Sequence, residues 1–284
     1  MTTNPFEDQH APVPRTGNPV LGDWLRQYHR PPRDSPTLVV LPHAGGSAGA
    51  YRALSAALSS EAEVLLVQYP GRQDRIAERP LANIRALADA ITDALGPLTG
   101  RPLALFGHSM GSMVAYEVAL RLQEQPRTGG VTGLIASGRG APSVPQPRGR
   151  HLRDDAGIVA AMAELAGTDP AVFADKELME AIIPAMRADF EAVDTYRSAP
   201  GTTLRCPISA YAGAADPHVA REDVLGWERH TTGGFTTRTF PGGHFYLDDR
   251  LPDVVRAVRR DLAVFGRAAG EREVAGAAAA VGSH

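Results

Sequence analysis

The chain has 284 residues, of which 43% are hydrophobic and 21% charged. That length suits one large α/β domain or two small ones, and the composition argues against global disorder. A net charge of −3 excludes a strongly basic nucleic-acid binder, and a single cysteine, Cys206, excludes an internal disulfide and makes a structural zinc site implausible.

Residues 1–19 are polar and carry four prolines (Pro5, Pro12, Pro14 and Pro19), without the basic start and apolar centre of a signal peptide. They are expected to be a disordered tail, and 20–267 the folded domain. Short apolar runs bounded by turn residues then alternate with helical periodicity. Strands are expected at 37–41, 63–67, 103–106, 131–136, 207–212 and 235–240. Helices are expected at 50–58, 81–95, 113–123, 219–228 and 251–265. Near-continuous apolar strands separated by helices imply a mostly parallel, doubly wound sheet buried on both faces. Ligands of such sheets bind at the carboxyl ends of the strands. From about Ala268 the chain turns rich in Ala and Gly, and 268–284 is expected to fray as a second disordered tail.

One interval breaks the rhythm. About 70 residues separate the strand ending near Ala136 from the one starting near Ile208, far more than a simple connection needs. Residues 140–203 are therefore expected to form an inserted helical lid, with helices at about 155–166 and 175–196, the second interrupted by Pro184. Met162, Leu165, Met179, Ile182, Ile183, Met186 and Phe190 would line its face over the sheet edge, and Met162, Met179, Ile183, Met186 and Phe190 are the candidate substrate contacts.

Gly-x-Ser-x-Gly occurs at 45–49 and at 107–111. Ser109 follows an apolar strand directly and precedes a helix, which is the strand–turn–helix setting of a nucleophile elbow. Ser47 lies six residues beyond Leu41 inside the Gly-rich loop His43-Ala44-Gly45-Gly46. In an α/β-hydrolase that loop supplies the second oxyanion-hole N–H, so the donors would be the backbone of Ala44 and of Met110. The chain order Ser, acid, His then selects partners. Among His151, His218, His230 and His244, only His244 follows a strand and a flexible Pro-Gly-Gly turn. Among Asp194, Asp216 and Asp223, only Asp216 follows a strand end, where it could also cap the next helix. Asp248 and Asp249 break the order. A Ser109–His244–Asp216 triad needs neither metal nor dissociable cofactor.

These pieces resemble the type II, or editing, thioesterases of polyketide and nonribosomal peptide pathways. The resemblance rests on Leu41-Pro42-His43-Ala44-Gly45-Gly46-Ser47, Gln68-Tyr69-Pro70-Gly71-Arg72, Phe106 to Gly111, Ser137-Gly138-Arg139 and Gly243-His244-Phe245-Tyr246-Leu247, over about 20–265. It implies an α/β-hydrolase fold with a helical lid. It also implies hydrolysis of acyl groups from the phosphopantetheine thiol of an acyl or peptidyl carrier protein. A basic rim of Arg148, Arg150 and Arg153, with Arg72 and Arg75, would suit an acidic carrier. The chain is expected to be a cytoplasmic monomer, without nucleic-acid or membrane partners. The rival readings are a carboxylesterase or lipase acting on oxygen esters, a chain-releasing cyclase, and a silent hydrolase fold used as a scaffold.

Overall fold

A computed structural model describes residues 21–98, 100–125, 130–145, 149–164 and 176–281. In chain order the elements are β1 (Leu25–Arg26), β2 (Thr37–Leu41), α1 (Arg52–Leu58), β3 (Glu63–Val67), α2 (Ile84–Leu95), β4 (Leu103–His108), α3 (Met110–Gln123) and β5 (Val131–Ser137). Then come α4 (Asp155–Glu164), α5 (Lys176–Thr195), β6 (Ile208–Gly213), α6 (Arg221–Leu225), β7 (Phe235–Phe240), α7 (Tyr246–Asp249) and α8 (Leu251–Val281).

Among the described residues seven strands form one sheet in the order β1-β3-β2-β4-β5-β6-β7. Every pairing is parallel except β1 with β3, so the carboxyl ends of β2, β4, β5, β6 and β7 share one edge. The register sets Leu41 beside Gly107 and His108 beside Ser137 at that edge.

The strands read as unbroken apolar runs because both faces are covered. Val39 and Leu41 of β2 join Leu105, Leu134 and the inner stripes of α2 and α3 in one core cluster. Leu38 and Val40 join Phe106, Ile135, α1 and α8 in the other. β7 closes one side as a half-exposed edge strand. A third, smaller cluster binds the two lid helices, α4 and α5, to each other through Ile158, Met162, Met179, Met186 and Phe190.

Four sequence expectations change. β1 was not foreseen, since two residues carry no periodic signal. The helix expected from Leu81 starts at Ile84, where the Asn83 side chain accepts from the N–H groups of Arg85 and Ala86. α5 runs through Pro184 without interruption. Proline removes one helical hydrogen bond, and the buried stripe on either side holds the helix together. α8 continues to Val281 through the stretch expected to fray, because alanine is the best helix former. The expected N-terminal tail, 1–19, lies outside the described residues.

Candidate active site

Ser109 joins β4 to α3 with φ 54° and ψ −115°, a backbone conformation that a residue with a Cβ adopts only at a cost of about 1–3 kcal/mol. The surroundings hold it there. Its N–H donates to the Ser137 carbonyl at 2.8 Å. The Ser112 hydroxyl donates to the carbonyls of Gly107 and Ser137 at 2.8 and 2.9 Å. Gly107 and Gly111 let the strand and helix touch: a Cβ on Gly111 would lie 2.0 Å from the Leu41 carbonyl oxygen. Met110 opens α3, so its N–H has no partner within the helix. Ser47, by contrast, has ordinary extended backbone (φ −126°, ψ 170°) ahead of a short 3-10 turn.

His244 sits in the loop between β7 and α7, and Asp216 in the loop after β6. The His244 Nδ1–H donates to Asp216 Oδ2 at 2.7 Å, and both side chains are buried. Asp216 Oδ1 accepts from the His218 N–H at 2.9 Å, an Asx turn that fixes the carboxylate. The other nitrogen of His244, Nε2, is buried and has no hydrogen-bond partner among the described residues. His244, Ser109, Met110, Ala44, His218 and Phe190 line one cavity of about 210 Å³.

The ring of His218, 5.8 Å away, is one of three further imidazoles around His244. The His108 ring lies 5.2 Å from His244 and pairs with the Ser137 hydroxyl at 2.8 Å, which in turn meets Tyr246 Oη at 2.5 Å. Burial, with His244 and His43 nearby, holds His108 well below the ordinary imidazole value. Burial, His244 and Arg72 push His43 down to about 3, and its Nδ1 meets Tyr51 Oη at 2.8 Å. Both are held neutral by their burial.

The remaining sequence candidates have other partners. Asp194 accepts from Arg150 Nη2 and N, each at 2.7 Å, and from His151 at 3.2 Å. His230 contacts Tyr116 Oη and the Ser143 hydroxyl. Asp223 takes part in α6 through its backbone.

Of the five expected lid contacts, Phe190 lines the cavity. Met162, Met179 and Met186 pack into the lid's own cluster, and Ile183 lines a separate hollow of about 440 Å³ with Pro80 and Arg187. Their helical spacing marks a buried stripe, which joins the lid helices to each other and meets the loop after β2 through Met186 and Ala44. The basic rim also changes. Arg72 and Arg75 are buried, paired with Asp189 and Glu78 respectively. Arg150 is tied to Asp194, and Arg153 is exposed. Arg148 and Leu165 lie outside the described residues.

The sequence reading missed Arg139 and, as lining residues, Val193, Pro217, His218 and Val219. The last three adjoin Asp216, which was the available signal. Arg139 is buried, its Nε has no partner among the described residues, and burial with Arg150 close by brings its guanidinium down to about 10.

The thioesterase domain family matches residues 36–262, which span β2 to β7, the lid and this whole site. The chain belongs to that family. It is 42% identical over 245 residues to "Thioesterase PikA5" of Streptomyces venezuelae, covering 86% of each chain. Among solved structures it resembles the type II thioesterase BorB of the borrelidin cluster, with 44% identity and a TM-score of 0.78 over 84% of this chain and 97% of that one. It also resembles YbtT, a type II thioesterase of the yersiniabactin NRPS/PKS pathway. Here identity is 29% and the TM-score 0.77, over 85% of this chain and 99% of that one. The fold is thus the α/β-hydrolase fold of the type II thioesterases, and the chain is a hydrolase of the serine thioesterase class. Among the described residues no helix is long and apolar enough to cross a membrane.

Proposed function

We propose that this thioesterase removes acyl groups from the phosphopantetheine thiol of acyl or peptidyl carrier proteins, clearing aberrant or stalled chains in a polyketide or nonribosomal peptide pathway. Ser109 is the nucleophile, His244 the base and Asp216 the orienting carboxylate. The observation that carries the reading is the 2.7 Å His244–Asp216 bond, with the free Nε2 of His244 and the strained Ser109 lining the same small cavity.

The chemistry follows from those groups. With Nδ1–H committed to Asp216, Nε2 is the basic nitrogen of His244. It takes the Ser109 proton as Oγ attacks the thioester carbonyl. The Ala44 and Met110 N–H groups receive the developing oxyanion, each lowering the barrier by about 3 kcal/mol. Collapse of the tetrahedral adduct expels the thiol, which leaves with the proton held by imidazolium. Water, deprotonated by His244, then cleaves the acyl-enzyme. Asp216 orients the ring and stabilises the imidazolium throughout. No step calls on a metal or cofactor.

Among the described residues the large exposed apolar side chains, Ile76, Leu152, Leu178, Leu225 and Val264, sit on separate segments, in keeping with a monomer. The test is acyl release from purified acyl-carrier protein, followed by intact-protein mass spectrometry, with wild type beside Ser109→Ala. Release by wild type and its loss in the variant are expected. If wild type leaves acyl carriers intact and hydrolyses simple oxygen esters instead, the carrier reading is wrong.

A further inference from the structure

The loop that carries Ala44 is held by a residue of the lid. Asp189, on α5, is fully buried, 144 positions from its partner Gly45. Its Oδ2 accepts from the Gly45 N–H at 2.7 Å and from Arg72 Nη1 at 2.7 Å, while its Oδ1 accepts from Arg72 Nη2 at 3.0 Å. Arg72, also buried, donates from Nη1 to the Gly46 carbonyl at 3.3 Å. The same loop is tied at its flanks. Tyr69 Oη donates to the Pro42 carbonyl at 3.2 Å, and the Ala48 N–H donates to Gln68 Oε1 at 2.9 Å. The Gly46 N–H closes a turn on the His43 carbonyl at 2.9 Å. Among the described residues the Ala44 N–H has no such partner, and Ala44 faces the cavity that holds Ser109.

The residues on either side of that N–H are therefore tied down, the loop's flanks by Tyr69 and Gln68 after β3 and Gly45 by the lid helix. A purely structural ion pair would be complete with the two-pronged Arg72–Asp189 contact. The third bond, to the peptide N–H adjoining Ala44, adds nothing to the pair's charge balance and sets the orientation of the loop. The lid touches the loop a second time through Met186, whose Sδ lies where a Cβ on Gly45 would come within 2.2 Å. Gly45 has φ +75°, so the loop adopts a left-handed turn that fits under α5 only without a side chain.

We propose that Asp189 is a positioning residue for the oxyanion hole: through the Gly45 N–H and Arg72 it aims the Ala44 N–H, so that the hole is complete only while the lid helix is docked. The inference rests on the reading of Ser109 and Ala44 given under Proposed function. It makes the lid a part of the catalytic apparatus as well as a wall of the cavity. Undocking α5 would release the donor, and hydrolysis by bulk water of a poorly seated acyl group would be suppressed.

Asp189→Asn keeps the shape of the side chain and removes its charge. The Asp189→Leu/Arg72→Met double variant removes the pair while leaving no buried charge. Each is measured for thermal unfolding, for the fraction of sites labelled by a fluorophosphonate at end point, and for kcat and KM on acetyl-carrier protein. Inhibition by propylboronic acid, whose serine adduct sets an oxygen in the oxyanion hole, is measured alongside. Per labelled site, kcat should fall about 10- to 100-fold with KM within about threefold, and the boronate should weaken by a similar factor. If either folded variant keeps both kcat per site and boronate inhibition within about twofold of wild type, or if fewer labelled sites account for the whole loss, the pair is structural only and the proposal fails. If Asp189→Asn does not fold, the double variant decides. Failure of the underlying reading looks different: wild type itself would release no acyl groups, or Ser109→Ala would still release them.

Discussion

A methyl group added at Gly107 tests the elbow most directly. A Cβ there would stand 2.2 Å from the Gly111 carbonyl oxygen, 2.4 Å from its carbon and 2.6 Å from Ser112 Cα. Ordinary contact begins near 3.4 Å, so the first turn of α3 has to move about 1.2 Å away from β4. All three obstructing atoms are backbone, so no rotamer change can yield. Ser112, whose hydroxyl ties β4 to β5 through the Gly107 and Ser137 carbonyls, moves with them. Overpacking of this kind costs about 3 kcal/mol, which lowers the melting temperature by roughly 6–10 °C for a chain of this size. A shift of about 1 Å at the nucleophile should lower acyl release about 100-fold. Gly266→Ala is the internal control. Gly266 lies exposed in α8 with nothing within 4 Å of the added Cβ, so the substitution should gain about 0.5–1 kcal/mol and leave turnover unchanged. Thermal unfolding and acyl release per labelled active site read both variants. A Gly107→Ala protein that melts and turns over like wild type would refute the elbow argument, as would stability shifts of the same sign in the two variants.

Three other substitutions probe separate parts of the site. Asp216→Asn should lower single-turnover acyl release by about 10³- to 10⁴-fold at nearly unchanged stability, since the amide no longer favours the tautomer with a basic Nε2; a loss under tenfold would remove Asp216 from the triad. His108→Asn should flatten the pH dependence of stability. The folded state holds His108 neutral, whereas the unfolded chain binds that proton below about pH 6.5. The contribution is therefore fully present above pH 6.5 and is lost as pH falls, by about 1.4 kcal/mol per unit. Urea unfolding between about pH 4.5 and 6.5 should show a slope shallower by that amount in the variant, and equal slopes would be contrary to it. Phe190→Ala, at a side chain 1% exposed between lid and cavity, should destabilise by about 3–4 kcal/mol. It should also raise turnover of long acyl chains relative to acetyl, and an unchanged chain-length profile would show that Phe190 does not bound the acyl site.

The elements that carry the site were legible because their signals are local. β4 is an apolar run that stops on Gly107, and the helix starts one residue beyond Ser109, so strand, turn and helix are all written within about 20 positions. Asp216 and His244 each follow a strand by a few residues. A parallel sheet delivers its strand ends to one edge, which is why residues 28 apart in sequence meet at 2.7 Å. Where the local signal misled, a tertiary contact outweighed it. Pro184 reads as a helix break, yet α5 continues because the apolar stripe on either side of it is buried. The Met and Ile stripe of the lid reads as a wall over the sheet edge, and it also closes the two lid helices on each other.

Charge was the least legible property, and the reason is physical. A basic side chain in a sequence reads as solvated surface, so Arg72 and Arg75 suggest a docking rim. Burial turns them inward, where each needs a partner to offset desolvation. The complementary signal was present in α5. Asp189 stands between Met186 and Phe190 on the stripe that packs against the body, and a carboxylate at such a position has to be paired. The helix could not indicate which of the chain's 29 basic residues pairs with it. Topology decides that. β2 and β3 are parallel neighbours, so the loops leaving Leu41 and Val67 emerge side by side, and Arg72 comes up against Gly46. The lid then descends on both loops at once, and Asp189, buried on its inner face, meets the guanidinium and the Gly45 N–H together. A lid that merely covered a finished site would have no reason to bury a charge there. One that helps hold the oxyanion loop does.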